Sequence, residues 1–440
     1  MEEKVGNVPG ARLLFEVSTT LVYAGRNAVG IVRAEREIAS HLLRLADPAV
    51  RFVLLRGGTL SEITPEQVGA AVRPPPPDTA VAALAVRPGI GDRCRQRGQA
   101  LVRGLARAIL ALLPARQVER LRRWRRGRGL RAVAGTSFAP RPGDVLMLVG
   151  LLWNFVDCQR LAALQRQSGL AVVPLIHDLI PVRFPAFIGD GGAFYARFFA
   201  DLFACSTKLL CNSRCTETDV LAFLAAIGRA PLPTAVLPLG ANLPVRPDGT
   251  PFAAQPFGEK LEKGRFALTV GTVEMRKNHA LLLDLWEDLS AEPDFDLDLV
   301  IVGRPGWGAK ATIARLYQSQ FPGSRVLWFP HLADGALAWL YERCHMVLYP
   351  SFYEGWGLPV MEALAYGRPV IASDRGATPE AAFGLATLLD PANGAGWRAA
   401  ILAAARTPRR NVATPPLPTW NETMHALLAE ARAASPSGEA

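Results

Sequence analysis

The spacing of apolar and polar positions divides the chain into two similar halves. Residues 11–17 (ARLLFEV) predict a first strand, followed by a polar, glycine-containing loop from Tyr23 to Gly30. Ile31, Ala34, Ile38 and Leu42 then recur at helical spacing and predict a helix over 31–45. RFVLLR at 51–56 predicts a second strand. A proline run, Pro74 to Pro77, opens a region of irregular pattern that extends to Pro142. Within it Gln99–Leu113 is amphipathic, with Leu101, Val102, Leu105, Ile109 and Leu112 opposing Arg103 and Arg107. From Asp144 the runs VLMLVG, AVVPLIHD, KLLCNS and TAVLPLG are short, continuously apolar and separated by helical patterns, as strands buried on both faces of a parallel sheet are. Residues 240–264 are rich in Pro and Gly and lack periodicity, which places a domain boundary there. The pattern then restarts as FALTVGT, DLVIVGRPG, VLWFP, MVLYPS, PVIASD and ATLLD, again with helices between. The expected fold class is α/β, with two doubly wound Rossmann-like domains facing a central cleft and ligands at the carboxyl ends of the strands. The expected divisions are an N-terminal domain over 1–248 with an Arg-rich helical insertion at about 74–142, a C-terminal domain over 249–415, and a helix and tail over 416–440. That last helix is expected to pack back toward the first domain.

Composition narrows the function classes. Of 440 residues, 50% are hydrophobic and 20% charged, enough to bury sizeable cores and too apolar for wholesale disorder. The net charge of +10 is local, because Arg recurs at nearly every third position between Arg93 and Arg131 against only Asp92 and Glu119. Two readings follow for this block. Its helix docks on anionic lipid through Arg103, Arg107, Arg116, Arg120, Arg122, Arg123, Trp124, Arg125 and Arg126 with the leucines in the interface, or it packs on the first domain with its arginines in water. Nucleic acid is not the expected partner, since Trp124 is the only aromatic among the basic residues. The six cysteines form no paired C-x-x-C and are expected as buried thiols. The longest apolar stretch, around Val145 to Trp153, is about half of what a membrane-spanning helix needs. The N-terminal residues start acidic and lack a secretory apolar core, so a cytoplasmic chain is expected, peripheral on the inner face of the membrane if the basic block docks.

The residues that carry chemistry cluster after two strands of the second half. MVLYPS is followed by Glu354, Gly355, Trp356, Gly357, Leu358 and Pro359, then by a helix containing Glu362. Two glycines allow close backbone approach, and two carboxylates at a strand-to-helix turn suit hydrogen bonds to sugar or ribose hydroxyls. Ser373, Asp374, Gly376 and Glu380 form a further polar loop. After FALTV come Gly271, Thr272 and then Arg276 and Lys277, adjacent cations placed for a diphosphate. Asp294, Asp296 and Asp298 spell D-x-D-x-D, but they lie at the amino end of a strand, away from where this sheet type binds ligands, and are expected as surface turn residues.

These strings resemble the GT4 family of retaining glycosyltransferases, which have the GT-B fold, and in particular its bacterial mannosyltransferase-like members. The family signature of two glutamates separated by seven residues matches Glu354 and Glu362 in EGWGLPVMEALAYGRPVIASDRGATPE. EMRKNH resembles its phosphate-binding Arg-Lys loop, and IVGRPGWG its nucleotide-contacting strand end. IHDLIP and CNSRCTETDV resemble first-domain segments of bacterial members. The resemblance implies that Arg276 and Lys277 hold the donor diphosphate and stabilise the leaving group, that Glu362 binds ribose, and that Glu354 binds the transferred sugar with the amides of Gly357 and Leu358. Catalytic roles fall on His177, Glu354, Arg276 and Lys277. Donor contacts fall in addition on Gly271, Thr272, Gly303, Arg304, Leu332, Gly355, Trp356 and Glu362. The loop AGRNAVGIVR departs from the related Thr-Gly-Ile-Arg form at Asn27-Ala28-Val29, and Arg26, Gly30, Arg33 and Asp178 are the acceptor-side candidates, with Asp178 expected to orient its own turn. No metal or cofactor is implied; the nucleotide sugar is a substrate. The resemblance thus implies transfer of a hexose, with mannose from GDP-mannose the leading reading, to a lipid-linked or oligosaccharide acceptor in bacterial exopolysaccharide or lipopolysaccharide assembly. A sugar-phosphate epimerase or phosphorylase on the same scaffold is the first alternative, and a basic nucleic-acid-binding protein a distant second.

Overall fold

The computed structural model describes residues 11–26, 30–73, 130, 133–188, 191–241, 257–320 and 323–435. The Arg-rich block, from Arg103 to Arg126 with Trp124, lies outside the described residues, as do Asn27, Ala28 and Val29.

The first domain is an eight-stranded sheet of β1 (Leu13–Glu16), β2 (Val50–Arg56), β3 (Thr59–Ile63), β4 (Thr136–Phe138), β5 (Val145–Leu148), β6 (Ala171–Ile176), β7 (Leu209–Cys211) and β8 (Thr234–Val236), in the order β4-β3-β2-β1-β5-β6-β7-β8. The strands from β2 to β8 in that order run parallel. Their continuously apolar sequences follow from burial: every residue of β1, β5 and β6 is buried between helical layers. The edge differs from the expected pattern. β3 pairs antiparallel with β2, and β4 antiparallel with β3. The turn between β2 and β3 is Gly57-Gly58 at φ 56° and 88°, the left-handed pair that closes a two-residue hairpin. The irregular stretch expected to last to Pro142 therefore ends earlier, with Thr136–Phe138 returning to the sheet.

The second domain has β9 (Phe266–Val270), β10 (Asp298–Val302), β11 (Val326–Phe329), β12 (Met346–Tyr349), β13 (Val370–Ser373) and β14 (Thr387–Leu389), in the order β11-β10-β9-β12-β13-β14 and all parallel. This is the doubly wound arrangement, with the chain reversing direction across the sheet between β9 and β12. The loops that leave those two strands diverge at that point and frame a crevice.

The helix Trp420–Ala433 returns to the first domain. Its Thr419 N-cap and Glu422 form a reciprocal capping box. Arg432 pairs with Asp47 at 2.8 Å, the Thr423 hydroxyl donates to the Pro238 carbonyl at 2.8 Å, and Glu430 pairs with Lys208. Gly240 admits the backbone of Thr419 and Trp420 so closely that a side chain there would overlap it.

Candidate active site

The reversal between β9 and β12 dictates what meets in the crevice. β9 ends at Val270, and the chain turns through Gly271 and Thr272 into a tight helical turn, Met275–Lys277. β10 brings Gly303 against this loop, where a Cβ would overlap the Gly271 carbonyl oxygen; only glycine allows the two strand ends to touch. β12 delivers Glu354 from the other side. The Arg276 guanidinium pairs with one carboxylate oxygen of Glu354 at 2.5 Å, and the Lys277 ammonium with the other at 2.6 Å. Each cation has a second anchor. Arg276 donates to the Tyr353 carbonyl and to Glu274, both at 2.7 Å, and Lys277 donates to the Tyr349 hydroxyl at 2.7 Å.

Burial opposes ionisation of Glu354, but the two adjacent cations outweigh it and its pKa falls to about 2. Burial pulls the Lys277 amino group below its ordinary range while Glu354 holds it up. An ammonium has three N–H donors, and two of them are engaged by protein. The cluster is thus a pre-aligned pair of cations facing a cavity of about 560 Å³ between the domains, within the size range of small-molecule sites.

The first domain completes the cavity. His177 follows β6, is buried, and contributes its Nε2 to the Val149 carbonyl at 2.7 Å. A carbonyl only accepts, so Nε2 carries the proton. Burial lowers the ring pKa to about 4, which leaves His177 neutral near pH 7. Asp178 accepts from the Ile180 amide at 3.0 Å and so orients its own turn; burial raises its pKa despite nearby Arg276. Gly355 lies against this segment, where a Cβ would overlap the His177 carbonyl oxygen, and its own carbonyl accepts from Ser213 at 2.8 Å and Thr216 at 3.2 Å. The Glu380 carboxylate crosses the same seam to accept the Arg214 and Cys215 amides, each at 2.8 Å, at the start of the Arg214–Ala226 helix. The string CNSRCTETDV therefore serves as the first domain's half of the interdomain seam. Tyr353 extends it, donating to Asp219 at 3.0 Å and lying 3.0 Å from an Arg183 nitrogen.

The residues singled out for the donor, Gly271, Thr272, Arg276, Lys277, Gly303, Arg304, Leu332, Glu354, Gly355, Trp356, Gly357, Leu358 and Glu362, all line this one cavity, as do His177, Gly30, Arg33 and Asp178. One acceptor-side candidate lies away from the cavity. Arg26 is exposed with its guanidinium over the Tyr23 ring at 5.8 Å and does not line the cavity; its carbonyl instead accepts from Arg36 at 2.7 Å. Arg33, an acceptor-side candidate, lines the cavity and pairs with Glu362 of the second domain at 2.9 Å. Asp298 is also not a surface turn residue: it is buried at the start of β10 and pairs with Lys260 at 3.2 Å and Arg325 at 3.5 Å, while Asp296 pairs with Arg265. These aspartates are engaged by cations at the end of the sheet remote from the cavity. Sequence reasoning missed Glu274, Tyr349, Asp334 and Tyr341, which brace the cavity's charged groups from within the second domain.

Comparison with known proteins places this geometry. Residues 253–392 match the family model for glycosyl transferases group 1. The chain is similar to bacterial mannosyltransferases: it is 31% identical over 220 residues to the serotype-specific mannosyltransferase WbdA of Escherichia coli, covering 48% of this chain and 26% of that one. It is 36% identical over 129 residues to the O-antigen chain mannosyltransferase B of Escherichia coli, covering 29% of this chain and 33% of that one. The chain thus spans a third or less of the length of either relative. Across the whole fold it resembles the sucrose-phosphate synthase of Thermosynechococcus elongatus, with a TM-score of 0.57 at 16% identity over 97% of this chain and 94% of that one. The two facing sheets are a GT-B fold, and the second domain supplies Arg276, Lys277, Glu354 and Glu362 to the cavity.

A second group of acids lies behind the first-domain wall. Glu16 and Glu35 are fully buried, and burial raises both above the ordinary carboxylate range, Glu35 further because of Glu16. Such groups favour folding while protonated; that contribution is complete below the unfolded-state pKa and is lost as pH rises through the raised folded-state values. Glu35→Gln should therefore flatten the decline of thermal stability from about pH 5 upward, with the gap to the unsubstituted protein widening as pH rises. Parallel melting curves across that range would contradict the assignment.

Proposed function

We propose that the protein is a retaining, metal-independent glycosyltransferase of the GT4 type, moving a hexose from a nucleotide sugar to a saccharide or lipid-linked acceptor in the assembly of a bacterial surface polysaccharide. Mannose from GDP-mannose is the best reading of the donor, supported by the similarity to mannosyltransferases. The observation that carries the proposal is the clamping of Arg276 and Lys277 on Glu354 at the point where the sheet reverses.

The chemistry follows from those groups. The donor diphosphate enters against Arg276 and Lys277, whose fixed charges balance the negative charge that develops on the departing nucleoside diphosphate. Glu354, ionised down to about pH 2, accepts hydroxyls of the transferred sugar. Glu362 accepts those of the ribose, and the amides opening the Leu358–Ala365 helix face the same ligand. His177 remains neutral and holds the first-domain wall of the reacting centre; with a pKa of about 4 it does not add a third cation. Gly355, Ser213 and Thr216 keep that wall against the Glu354 loop. The acceptor enters from the first-domain side, past Trp153 and Asp178. Because two side-chain cations do the work of a divalent ion, EDTA should leave transfer unchanged. Loss of transfer restored by Mn²⁺ would contradict this.

A thermal-shift panel of nucleotide sugars tests the donor. GDP-mannose at about a hundred times its dissociation constant should stabilise the protein by about 2.7 kcal/mol, and a uniform absence of shift across the panel would overturn the proposal. Analysis of the product's anomeric configuration tests retention. Among the described residues no helix is long and apolar enough to cross a membrane. Attachment to the inner membrane face through the Arg-rich block is part of the proposal and predicts co-sedimentation with liposomes that grows with their anionic lipid content.

A further inference from the structure

The helix Ile31–Leu45 opens with Arg33, Ala34, Glu35, Arg36 and Glu37, a charged run that on a surface helix faces water. Here Arg33, Glu35 and Arg36 are only 6%, 0% and 6% exposed. Glu35 accepts the Thr20 amide at 2.6 Å, and Arg36 donates to the carbonyls of Tyr23 and Arg26, each at 2.7 Å. These contacts fix the start of the helix on the loop that precedes it. Arg33 is then held pointing across the cavity. Its guanidinium donates to one oxygen of Glu362 at 2.9 Å and lies 3.9 Å from Asp334, both in the opposite domain. The Tyr341 hydroxyl donates to the other Glu362 oxygen at 2.8 Å. A carboxylate can accept about four hydrogen bonds, so Glu362 keeps acceptor capacity for an incoming ligand.

We infer that Arg33 is a positioning residue: from the first domain it orients the carboxylate that takes the donor's nucleoside hydroxyls, and so makes nucleoside binding depend on the closed arrangement of the two domains. The inference rests on the reading of Glu362 in the proposed function. Geometry carries it, since the pair spans the cleft and both partners are buried, and among the described residues the second domain offers Glu362 no cation of its own. The groups around Glu362 are Arg33 from the first domain, Asp334 and Tyr341 from the helix Asp334–Arg343, and Tyr366 beyond its own helix, while Glu37 faces Arg33 and Asp334. Burial raises the Glu362 pKa and Arg33 opposes that rise, so loss of Arg33 moves protonation to higher pH.

The test is calorimetric titration of the full chain with GDP and, separately, UDP from pH 5 to 8.5, on the unsubstituted protein and on R33M, R33K, E362Q and R33M/E362Q. R33M should weaken binding at neutral pH by at least about tenfold and move the acidic limb of the affinity profile upward by about one unit or more. R33K retains the limb near its original position. E362Q binds weakly with no such limb, and R33M has no further effect in the E362Q background, as expected of a residue acting through another. If R33M fails to fold, R33K against E362Q carries the comparison. An R33M profile matching that of the unsubstituted protein, or additive losses in the double variant, would overturn the inference while leaving the proposed function standing. Failure of the unsubstituted chain to bind either nucleotide would remove both.

Discussion

Lys277→Ala is expected to lower the rate of sugar transfer by about a hundredfold or more, with the melting temperature little changed. Lys277 sits in a loop at the end of β9, outside the apolar cores, so its aliphatic stem contributes modestly to stability. Its ammonium is one of two charges that hold Glu354 and, in the proposed reaction, one of two that receive the leaving diphosphate. Loss of one preorganised charged donor in a desolvated site costs about 3–4 kcal/mol of transition-state stabilisation. The removal also leaves Glu354 with one cation instead of two, so its acid limit should move upward from about 2. The measurement is kcat and KM with GDP-mannose and the circular dichroism melt of the same sample. Transfer within a few-fold of the unsubstituted rate would contradict the role given to Lys277.

The second large effect comes from a methyl group. Gly355→Ala places a Cβ inside the contact distance of the His177 carbonyl oxygen and beside Asp178. Both are main-chain or short-stemmed atoms after β6 and cannot swing aside as the tip of a long side chain does. The substitution should therefore push the domains apart along the seam that Ser213, Thr216 and Glu380 stitch together. The expected result is a loss of kcat by about two orders of magnitude or more, since displacement of reacting groups by about 1 Å is enough for that. Each domain should remain folded, and nucleotide binding should fall less than kcat, because the cations and Glu354 belong to the second domain. Small-angle scattering should report an enlarged radius of gyration. An active Gly355→Ala protein with unchanged dimensions would show that the close approach is dispensable.

Strand positions were readable in the chain because β5, β6, β9, β10 and β12 are buried on both faces, and short uninterrupted apolar runs set between helical patterns arise in few other folds. The two loops at the β9–β12 reversal were readable for a related reason. Gly271 with Arg276-Lys277, and Gly355 with Glu354, combine glycines required by close backbone approach with charges that a sheet end does not otherwise need. The β2–β3 hairpin went unread although its Gly57-Gly58 signal is local, because TLSEI is too polar to resemble the continuously apolar interior strands. What the sequence hid was partnership across the cleft. Arg33 meets Glu362 over 329 residues of chain, and the Cys215 amide meets Glu380 over 165. Periodicity and local spacing carry no signal at that range. The roles of the charged run at Arg33–Glu37 and the polar run at Cys211–Val220 appear only when two sheets are set face to face. The same holds for Arg26 and Arg33, close neighbours in the chain: the first lies on the surface and the second crosses the cavity, because the helix start turns one inward.

A crystal structure of the full chain grown with GDP tests the arrangement most directly. The account requires diphosphate oxygens within hydrogen-bonding distance of both the Arg276 guanidinium and the Lys277 ammonium, with ribose hydroxyls on Glu362. A nucleotide bound elsewhere in the cavity, with Arg276 and Lys277 still closed on Glu354, would contradict it.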